Sequence, residues 1–162
     1  MTVLSEAMNT DTTQDPFQIL DRTHDDFAAS PVAEAFNWPE FAAETNLTHW
    51  YMVAFRSTRK PTANLDLLDD LETLAYNDAL EQPGFIFYFK GKVVPGAAPN
   101  QNMSFCMWRD RASAVAASRR HHHAKAAAVA NGMYDVYQVE RYNATVHRSD
   151  AKAWVEFDPL TV

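Results

Sequence analysis

Three consecutive histidines, His121, His122 and His123, are the residues of this 162-residue chain whose type best suits acid–base chemistry. An imidazole with an ordinary pKa of about 6.5 can take up or release a proton near neutral pH. Successive side chains on a helix point about 100° apart, so the three rings cannot bind one metal ion together. The apolar stripes of the surrounding helix turn His122 or His123 inward, toward catalysis or substrate binding. A structural hydrogen bond to a strand carbonyl is the alternative.

Polar side chains on the predicted strands are the second group of candidates. His49 and Tyr51 alternate on one face of the first strand, where they could hold a substrate oxygen and move its proton. Tyr88, on the second strand, could bind substrate in the same way. A histidine at the sheet edge and tyrosines of the core are the alternatives.

Three further side chains could shape or serve a site. A buried Arg141 beside aromatic residues could bind a carboxylate or an enolate, or it could form a salt bridge within the sheet. Trp108 ends the third strand and could form a cavity wall, or fill the core. Cys106 is best interpreted as a buried thiol, because a nucleophilic cysteine needs a lowered pKa and a base within reach.

Several classes of chemistry are excluded by what the sequence lacks. With four glycines, it contains neither a GxGxxG dinucleotide motif nor a GxxxxGK[ST] phosphate loop. Its one cysteine excludes a disulfide framework and a cysteine-based zinc or iron–sulfur site within the chain. No metal-ligand spacing is visible either. We therefore expect chemistry without a metal or an organic cofactor.

The net charge of −7 is concentrated at one end, because residues 1–45 carry nine acidic residues against one arginine. The remainder is almost neutral and has no basic stripe, so nucleic acid is not an expected partner. No apolar run reaches the roughly 18 residues of a membrane span, and the first residues lack a signal-peptide pattern. The sequence therefore predicts a cytoplasmic protein without a membrane partner.

The chain divides into three predicted segments. Residues 1–16 are polar and acidic, which predicts a disordered acidic leader. Residues 17–46 form a predicted N-terminal helical extension, and residues 47–162 a single α+β barrel-like domain.

Within the extension, residues 31–45 show two short helical pieces. Ser30 is the predicted N-cap, Pro31 takes the first helical position, and Pro39 interrupts the segment. The aromatic residues that could anchor this segment on the domain are Phe36, Trp38 and Phe41.

Strand and helix patterns alternate in the domain. The predicted strands are 47–57, 85–90, 103–108 and 134–146, with a short fifth strand at 154–157. The predicted helices are 65–80 and 110–131, and residues 91–102 form a loop. The order β-α-β-β-α-β predicts an α+β fold of ferredoxin-like type, in which an antiparallel sheet carries two helices on one face.

The two helices differ in composition. An apolar spacing of i, i+4, i+7 and i+8 predicts the buried face of the first helix as Leu67, Leu71, Leu74 and Ala75. The acidic residues predicted to face solvent are Asp69, Asp70 and Glu72. The second helix is rich in alanine, so it could lie close to the sheet or leave space for a ligand beneath it.

The first two strands are apolar on both faces, although helices can cover only one face. A second copy of the sheet would cover the other face, which predicts a homodimer with twofold symmetry. The alternative is a monomer in which the N-terminal extension and the C-terminal tail cover that face.

Three motifs in residues 103–142 resemble the C-terminal half of the dimeric α+β barrel superfamily. They are a strand with Ser104, Phe105, Cys106 and Trp108, a helix with Ala117, Ser118 and His123, and a strand with Tyr134, Tyr137, Glu140, Arg141 and Tyr142. The superfamily includes antibiotic-biosynthesis monooxygenases and polyketide cyclases. The motifs look still more similar to a largely fungal family with no activity attached to it.

The resemblance implies an apolar cavity between sheet and helices, with His123 at the family-like position. It implies one of several activities: cofactor-free oxygenation, aldol-type cyclisation, isomerisation or, in some branches, haem chemistry. The predicted catalytic residues are His49, Tyr51 and His123, and the predicted substrate-binding residues are Tyr88, Trp108, His122, Tyr137 and Arg141.

We therefore predict a small cofactor-independent enzyme of isomerase, cyclase or dehydratase type, working by proton transfer on an apolar small molecule, in secondary metabolism. One alternative is a haem-binding, monooxygenase-like protein that uses a histidine from the triple run as axial ligand. The other is a protein that binds a small molecule without catalysis.

Overall fold

Five stretches rich in β-branched and aromatic residues form one antiparallel sheet in the computed structural model, which describes residues 15–91 and 101–161. The strands are β1 (His49–Arg59), β2 (Phe85–Phe89), β3 (Gln101–Trp108), β4 (Tyr134–Arg148) and β5 (Ala153–Pro159). The helices are α1 (Pro16–Ile19), α2 (Val32–Ala35), α3 (Trp38–Glu44), α4 (Leu65–Glu81), α5 (Arg111–Ser118) and α6 (His121–Ala130). A 3-10 turn spans Phe27–Ala29.

The strand order β2-β3-β1-β4-β5 and the antiparallel pairing of all neighbours confirm the α+β fold class. The first four strands with α4 and the α5–α6 segment make the predicted β-α-β-β-α-β arrangement, and the fifth strand pairs with β4. The prediction of a disordered leader concerns residues 1–16, of which 1–14 lie outside the described residues. The predicted loop at 91–102 lies mostly outside them too.

The two faces of the sheet carry different covers. The helix face, packed under α4, α5 and α6, includes Tyr51, Val53 and Phe55 of β1. The opposite face, here the extension face, includes Trp50, Met52 and Ala54 and is covered by the N-terminal extension. Both sets are largely buried, which explains why β1 is apolar on both sides.

Aromatic packing holds the N-terminal extension to the sheet. The Phe36 ring lies 4.9 Å from Phe89 and 5.0 Å from Phe105, between ring centroids. The Trp38 ring lies 6.0 Å from the Trp50 ring, and its indole Nε1 donates to the Val32 carbonyl at 2.8 Å. Each large side chain buried in this way contributes about 1.5–3 kcal/mol of transfer free energy.

This packing corrects the expectation of a sheet-to-sheet homodimer through the extension face. A second copy cannot reach the strands there, because helices α1 to α3 already lie on them. Polar ties reinforce the cover: Arg56 Nη1 donates to the Ala28 carbonyl at 2.7 Å, and Arg148 Nε donates to the Ala42 carbonyl at 2.8 Å. On this face the N-terminal extension thus takes the place in which a second copy was expected.

The proline-containing segment of the extension also differs from prediction. Pro31, rather than Ser30, stands at the N-cap position of α2. Pro39 lies in the first turn of α3, where a missing N–H costs nothing, so it starts a helix instead of interrupting one.

Helix α4 is rotated relative to the predicted amphipathic face. Leu68, Leu71 and Ala79 are buried, whereas Leu67 and Leu74 are each 38% exposed. The helix has leucines on more than one side, so their spacing alone does not determine which side meets the sheet.

The predicted single helix at 110–131 is two helices. After Ser118 the last turn tightens, and Arg120 adopts an extended backbone with ψ 151° before α6 begins. Asp78 of α4 accepts a hydrogen bond from the His122 backbone N at 3.0 Å, which satisfies the free amide end of α6. Because this partner lies 44 residues away, nothing in the local sequence marks the break.

Candidate functional site

A cavity of about 160 Å³ lies between the helix face of the sheet and helices α4 and α6, open to solvent on one side. The roof provided by α6 consists of His123, Ala126, Ala127 and Ala130. These alanines are too short to reach the sheet, so of the two roles left open for the alanine-rich helix, the structure shows the one that leaves space.

Aromatic side chains make most of the cavity wall. The Tyr76 ring lies 5.6 Å from Tyr88, and the Phe55 ring lies 6.3 Å from Tyr137, between centroids. The other aromatic lining residues are Phe85, Trp108 and Tyr134. Such a wall favours a flat, apolar ligand.

Tyr88 and Glu72 form the most polar contact in the cavity. The Tyr88 hydroxyl donates to Glu72 Oε1, and Lys90 Nζ lies 3.4 Å from Glu72 Oε2. Burial, followed by the charge and hydrogen bond of Glu72, holds the pKa of Tyr88 far above its ordinary value of 10.0. Tyr88 therefore keeps its proton and acts as a hydrogen-bond donor.

Glu72 is a residue that the sequence prediction placed on the solvent side of its helix. It lies instead on the inner face with Leu68, Ala75 and Ala79. The spacing of 4, 3 and 4 residues puts Leu68, Glu72, Ala75 and Ala79 on one helical stripe. The sequence therefore also contained the pattern that places Glu72 on the inner face of the helix.

His123 lines the cavity from the first turn of α6. Burial lowers its pKa below the ordinary 6.5 and outweighs the nearby charge of Asp78, which acts in the opposite direction. Its Nδ1 is buried and has no hydrogen-bond partner among the described residues. At neutral pH the ring is therefore an uncharged imidazole with unused hydrogen-bonding capacity.

His122 is held away from the cavity by Asp78. Its ring Nδ1 lies 3.0 Å from Asp78 Oδ1, and its backbone N donates to Oδ2. The side-chain hydrogen bond from His122 lowers the pKa of Asp78 below its ordinary 3.8. His122 thus anchors the start of α6 and lies outside the cavity lining, in contrast to its predicted position, while His121 is exposed.

Three other predicted site residues lie outside the cavity. His49 is exposed at the first residue of β1, where the helices do not reach, and its Nδ1 contacts the Thr48 hydroxyl at 3.1 Å. Tyr51 is buried among apolar neighbours that include Ala79 and Trp108. Arg141 is half-buried on β4 and does not line the cavity. The predicted grouping of His49, Tyr51 and His123 therefore does not occur.

The salt bridge considered for Arg141 is made by another arginine. Arg56 Nε lies 2.6 Å from Glu140 Oε1 on the extension face. Burial opposes the charge of Glu140, but hydrogen bonds from Arg56 and Tyr142 outweigh it and lower the pKa of Glu140.

Trp108 and Cys106 lie side by side on the cavity floor. The Trp108 Nε1 donates to the Cys106 sulfur at 3.0 Å. Burial raises the pKa of the Cys106 thiol to about 12, although the Trp108 hydrogen bond acts against it. Cys106 is thus an uncharged, buried free thiol, as its sequence context indicated.

Arg59 and Asn102 are lining residues that the sequence analysis missed. The predicted end of the first strand at residue 57 and the predicted start of the third at residue 103 left both in loops. The structure extends the β1–β3 pairing to include Asn102 and the β1–β4 pairing to include Arg59, and both side chains line the cavity. Arg59 Nε and Asn102 Oδ1 are buried without a hydrogen-bond partner within residues 15–91 and 101–161.

In the part of the chain that the structure describes, no three His, Cys, Asp or Glu side chains come together as a set of metal ligands. Across residues 15–91 and 101–161, no helix combines the length and apolar character needed to cross a membrane.

Comparison with known families and proteins gives one match over most of the chain. The family model described as PB2B2.08-like matches residues 4–158. No curated protein matches the sequence.

Solved structures share the domain rather than the whole chain. A conserved protein from Methanosarcina mazei Go1 is 17% identical, over 59% of this chain and 91% of its own, with a TM-score of 0.50. A putative antibiotic biosynthesis monooxygenase from Nitrosomonas europaea is 12% identical over 57% and 95%, at 0.49. SnoaB, a cofactor-independent oxygenase from Streptomyces nogalater, is 10% identical over 64% and 98%, at 0.48. At these identities the Methanosarcina match shows the fold alone.

Proposed function

The chain belongs to the PB2B2.08-like family, and we propose that it binds a small aromatic molecule in the cavity under α6 and moves a proton on it. One observation carries the proposal: the aromatic cavity holds an uncharged, unpartnered imidazole, His123, together with a tyrosine hydroxyl fixed by a carboxylate. A buried polar group without a partner is costly in a purely structural role, which favours a functional one.

The proposed chemistry needs only groups of this chain. The neutral His123 accepts a proton from a carbon beside a carbonyl group. The carbonyl oxygen, on which negative charge develops, replaces Glu72 Oε1 as the acceptor of the Tyr88 hydroxyl when the ligand binds, and Glu72 keeps Lys90 as its partner. Returning the proton from His123 to another carbon completes an isomerisation. Cyclisation and dehydration begin with the same proton removal, so these classes remain within the proposal.

The cavity volume limits the ligand to about one ring. A cavity of about 150 Å³ takes up benzene, whereas pockets for drug-sized ligands measure about 300–1,000 Å³. At about 160 Å³, this cavity fits a single ring with short substituents. A fused polyketide or terpenoid skeleton would require α6 to move.

The same volume weighs against the haem alternative. The four-pyrrole ring of haem far exceeds one benzene ring, and of the three consecutive histidines only His123 lines the cavity. The proposed function therefore does not include haem.

The side chains used in the proposed chemistry, His123, Tyr88 and Glu72, all belong to the same chain. The setting in secondary metabolism and the cytoplasmic location rest on sequence alone and stay predictions.

Hydrogen exchange on a simple probe tests the proposal. Acetophenone is a one-ring ketone with enolisable methyl protons, and NMR in D₂O follows their replacement by deuterium. We expect the protein to accelerate exchange, the His123→Asn variant to lose the acceleration, and the matched His121→Asn variant to keep it. Binding without accelerated exchange would support the non-catalytic alternative, and no binding would reject the proposed site.

A further inference from the structure

We propose that the ligand of this cavity is an aromatic carboxylate whose anionic group binds Arg59. The inference rests on the proposed function and names the substrate class for the same site. It follows from the charges that face the cavity and from how each is compensated.

Arg59 brings to the cavity a cation whose neighbour among the described residues is the Tyr134 hydroxyl rather than a carboxylate. It is the last residue of β1, lies opposite Tyr134 of β4 and is half-buried. Within residues 15–91 and 101–161, its Nε has no hydrogen-bond partner and no carboxylate comes within ion-pair distance of its guanidinium. A guanidinium always carries its charge, and its fork of N–H groups matches a carboxylate in two parallel hydrogen bonds.

Arg59 differs from the half-buried Arg56 and the exposed Arg148, which both have polar partners, and from the half-buried Arg141, which does not line the cavity. Arg56 is paired with Glu140 at 2.6 Å, and Arg148 donates to the carbonyls of Ala42 and Thr45. Burying a charge without a partner is costly, so a protein normally supplies one. At Arg59 an anion in the cavity would be that partner.

The negative charge that faces the cavity is already compensated. Glu72 accepts from Tyr88 and lies 3.4 Å from Lys90 Nζ. It adds no attraction for an anion and repels one placed beside it. An anionic ligand therefore places its carboxylate at Arg59 rather than beside Glu72, and leaves its uncharged end for the part of the cavity that Tyr88 and Glu72 line.

The topology sets the length of such a ligand. The backbone N of Lys60 donates to the Met133 carbonyl at 3.0 Å, which brings the end of β1 beside the C-terminal end of α6. His123 lies at the other end of α6, seven residues before Ala130 or about 10 Å along the helix. A ring with a short acidic side chain spans this distance beneath the alanines.

Binding of matched acids and amides tests the inference. The probes are trans-cinnamate and cinnamamide, which have the same shape and differ in charge, titrated by NMR or calorimetry at pH 7. We expect the unmodified protein to bind cinnamate at least about tenfold more tightly than cinnamamide, because the hydrogen bonds are charge-assisted. In Arg59→Gln that preference should vanish, because cinnamate loses a charge-assisted hydrogen bond and cinnamamide only a neutral acceptor's one.

The control variant is Lys125→Gln, which removes the same charge from an exposed position on the roof helix. It should keep the preference for cinnamate. Equal affinity for acid and amide in the unmodified protein, or a preference that persists in Arg59→Gln, would overturn the inference and leave the proposed aromatic site standing. If neither probe binds, the proposed function fails together with it.

Discussion

His123 shows how a single residue can separate function from stability. Its Nδ1 is buried without a partner among the described residues, so the ring costs the fold more than an apolar group of similar size would. The lowered pKa makes the free energy of unfolding depend on pH, because His123 binds a proton near pH 6.5 in the unfolded chain and only at lower pH in the folded chain. The stability contribution of the neutral ring is therefore present above pH 6.5 and declines as the pH falls toward the folded-state pKa.

We expect His123→Leu to raise the free energy of unfolding by about 1 kcal/mol in urea denaturation, while proton exchange on acetophenone is lost. The matched change His122→Leu should lower stability, because it removes the ring that contacts Asp78 at 3.0 Å. A destabilised His123→Leu protein would instead indicate a structural histidine.

Helix α6 depends on a tertiary contact rather than on its own sequence. It contains no fully buried residue, and its first amides are satisfied by Asp78 of α4. Hydrogen bonding from His122 lowers the pKa of Asp78, so the stabilising effect of the carboxylate is present above the ordinary 3.8 and is lost as the pH falls through the folded-state value. Asp78 thus caps the roof helix, and Glu81 of α4 adds an ion pair with Arg120, the N-cap residue of α6, at 2.6 Å.

We expect Asp78→Asn to speed amide hydrogen exchange in α6 at neutral pH and to weaken aromatic ligand binding, because the cap loses its charge. The control is Asp70→Asn on the exposed side of the same helix. Unchanged protection of α6 in Asp78→Asn would show that packing under the helix, rather than the carboxylate, holds it in place.

At the scale of the whole molecule, the N-terminal extension covers the face of the sheet that lies opposite helices α4, α5 and α6. Trp38 is 1% exposed and packs on Trp50 and Phe157, so it connects the extension to the centre of the sheet. With this face occupied, the unmodified protein should scatter light as a single chain. A particle of twice the chain mass would point to an association surface elsewhere on the molecule.

We expect Trp38→Ala to lower the free energy of unfolding by about 3–5 kcal/mol, and deletion of residues 1–45 to cause aggregation through the uncovered strands. Leu80→Ala, at a side chain that is 51% exposed, should change stability by less than about 0.5 kcal/mol. A soluble, folded deletion variant would contradict the role of the extension as the cover of the sheet.

The sequence by itself determined the strand and helix order, since two-sided apolar strands and long amphipathic or alanine-rich runs are local signals. It also indicated Tyr88, Trp108, His123 and Tyr137, the predicted site residues that line the cavity. Three of them lie on predicted strands, whereas the stripes of the helix left His122 and His123 open and the family resemblance favoured His123.

Only the tertiary structure decided what covers the second face, which side of α4 meets the sheet and where the alanine-rich helix breaks. Each depends on contacts between segments far apart in the chain, such as Trp38 with Trp50 or Asp78 with His122. Arg59 became a cavity residue because pairing extends β1 beyond its apolar pattern. Local spacing records which side chains are apolar, but the partner that each meets is selected by packing across the whole fold.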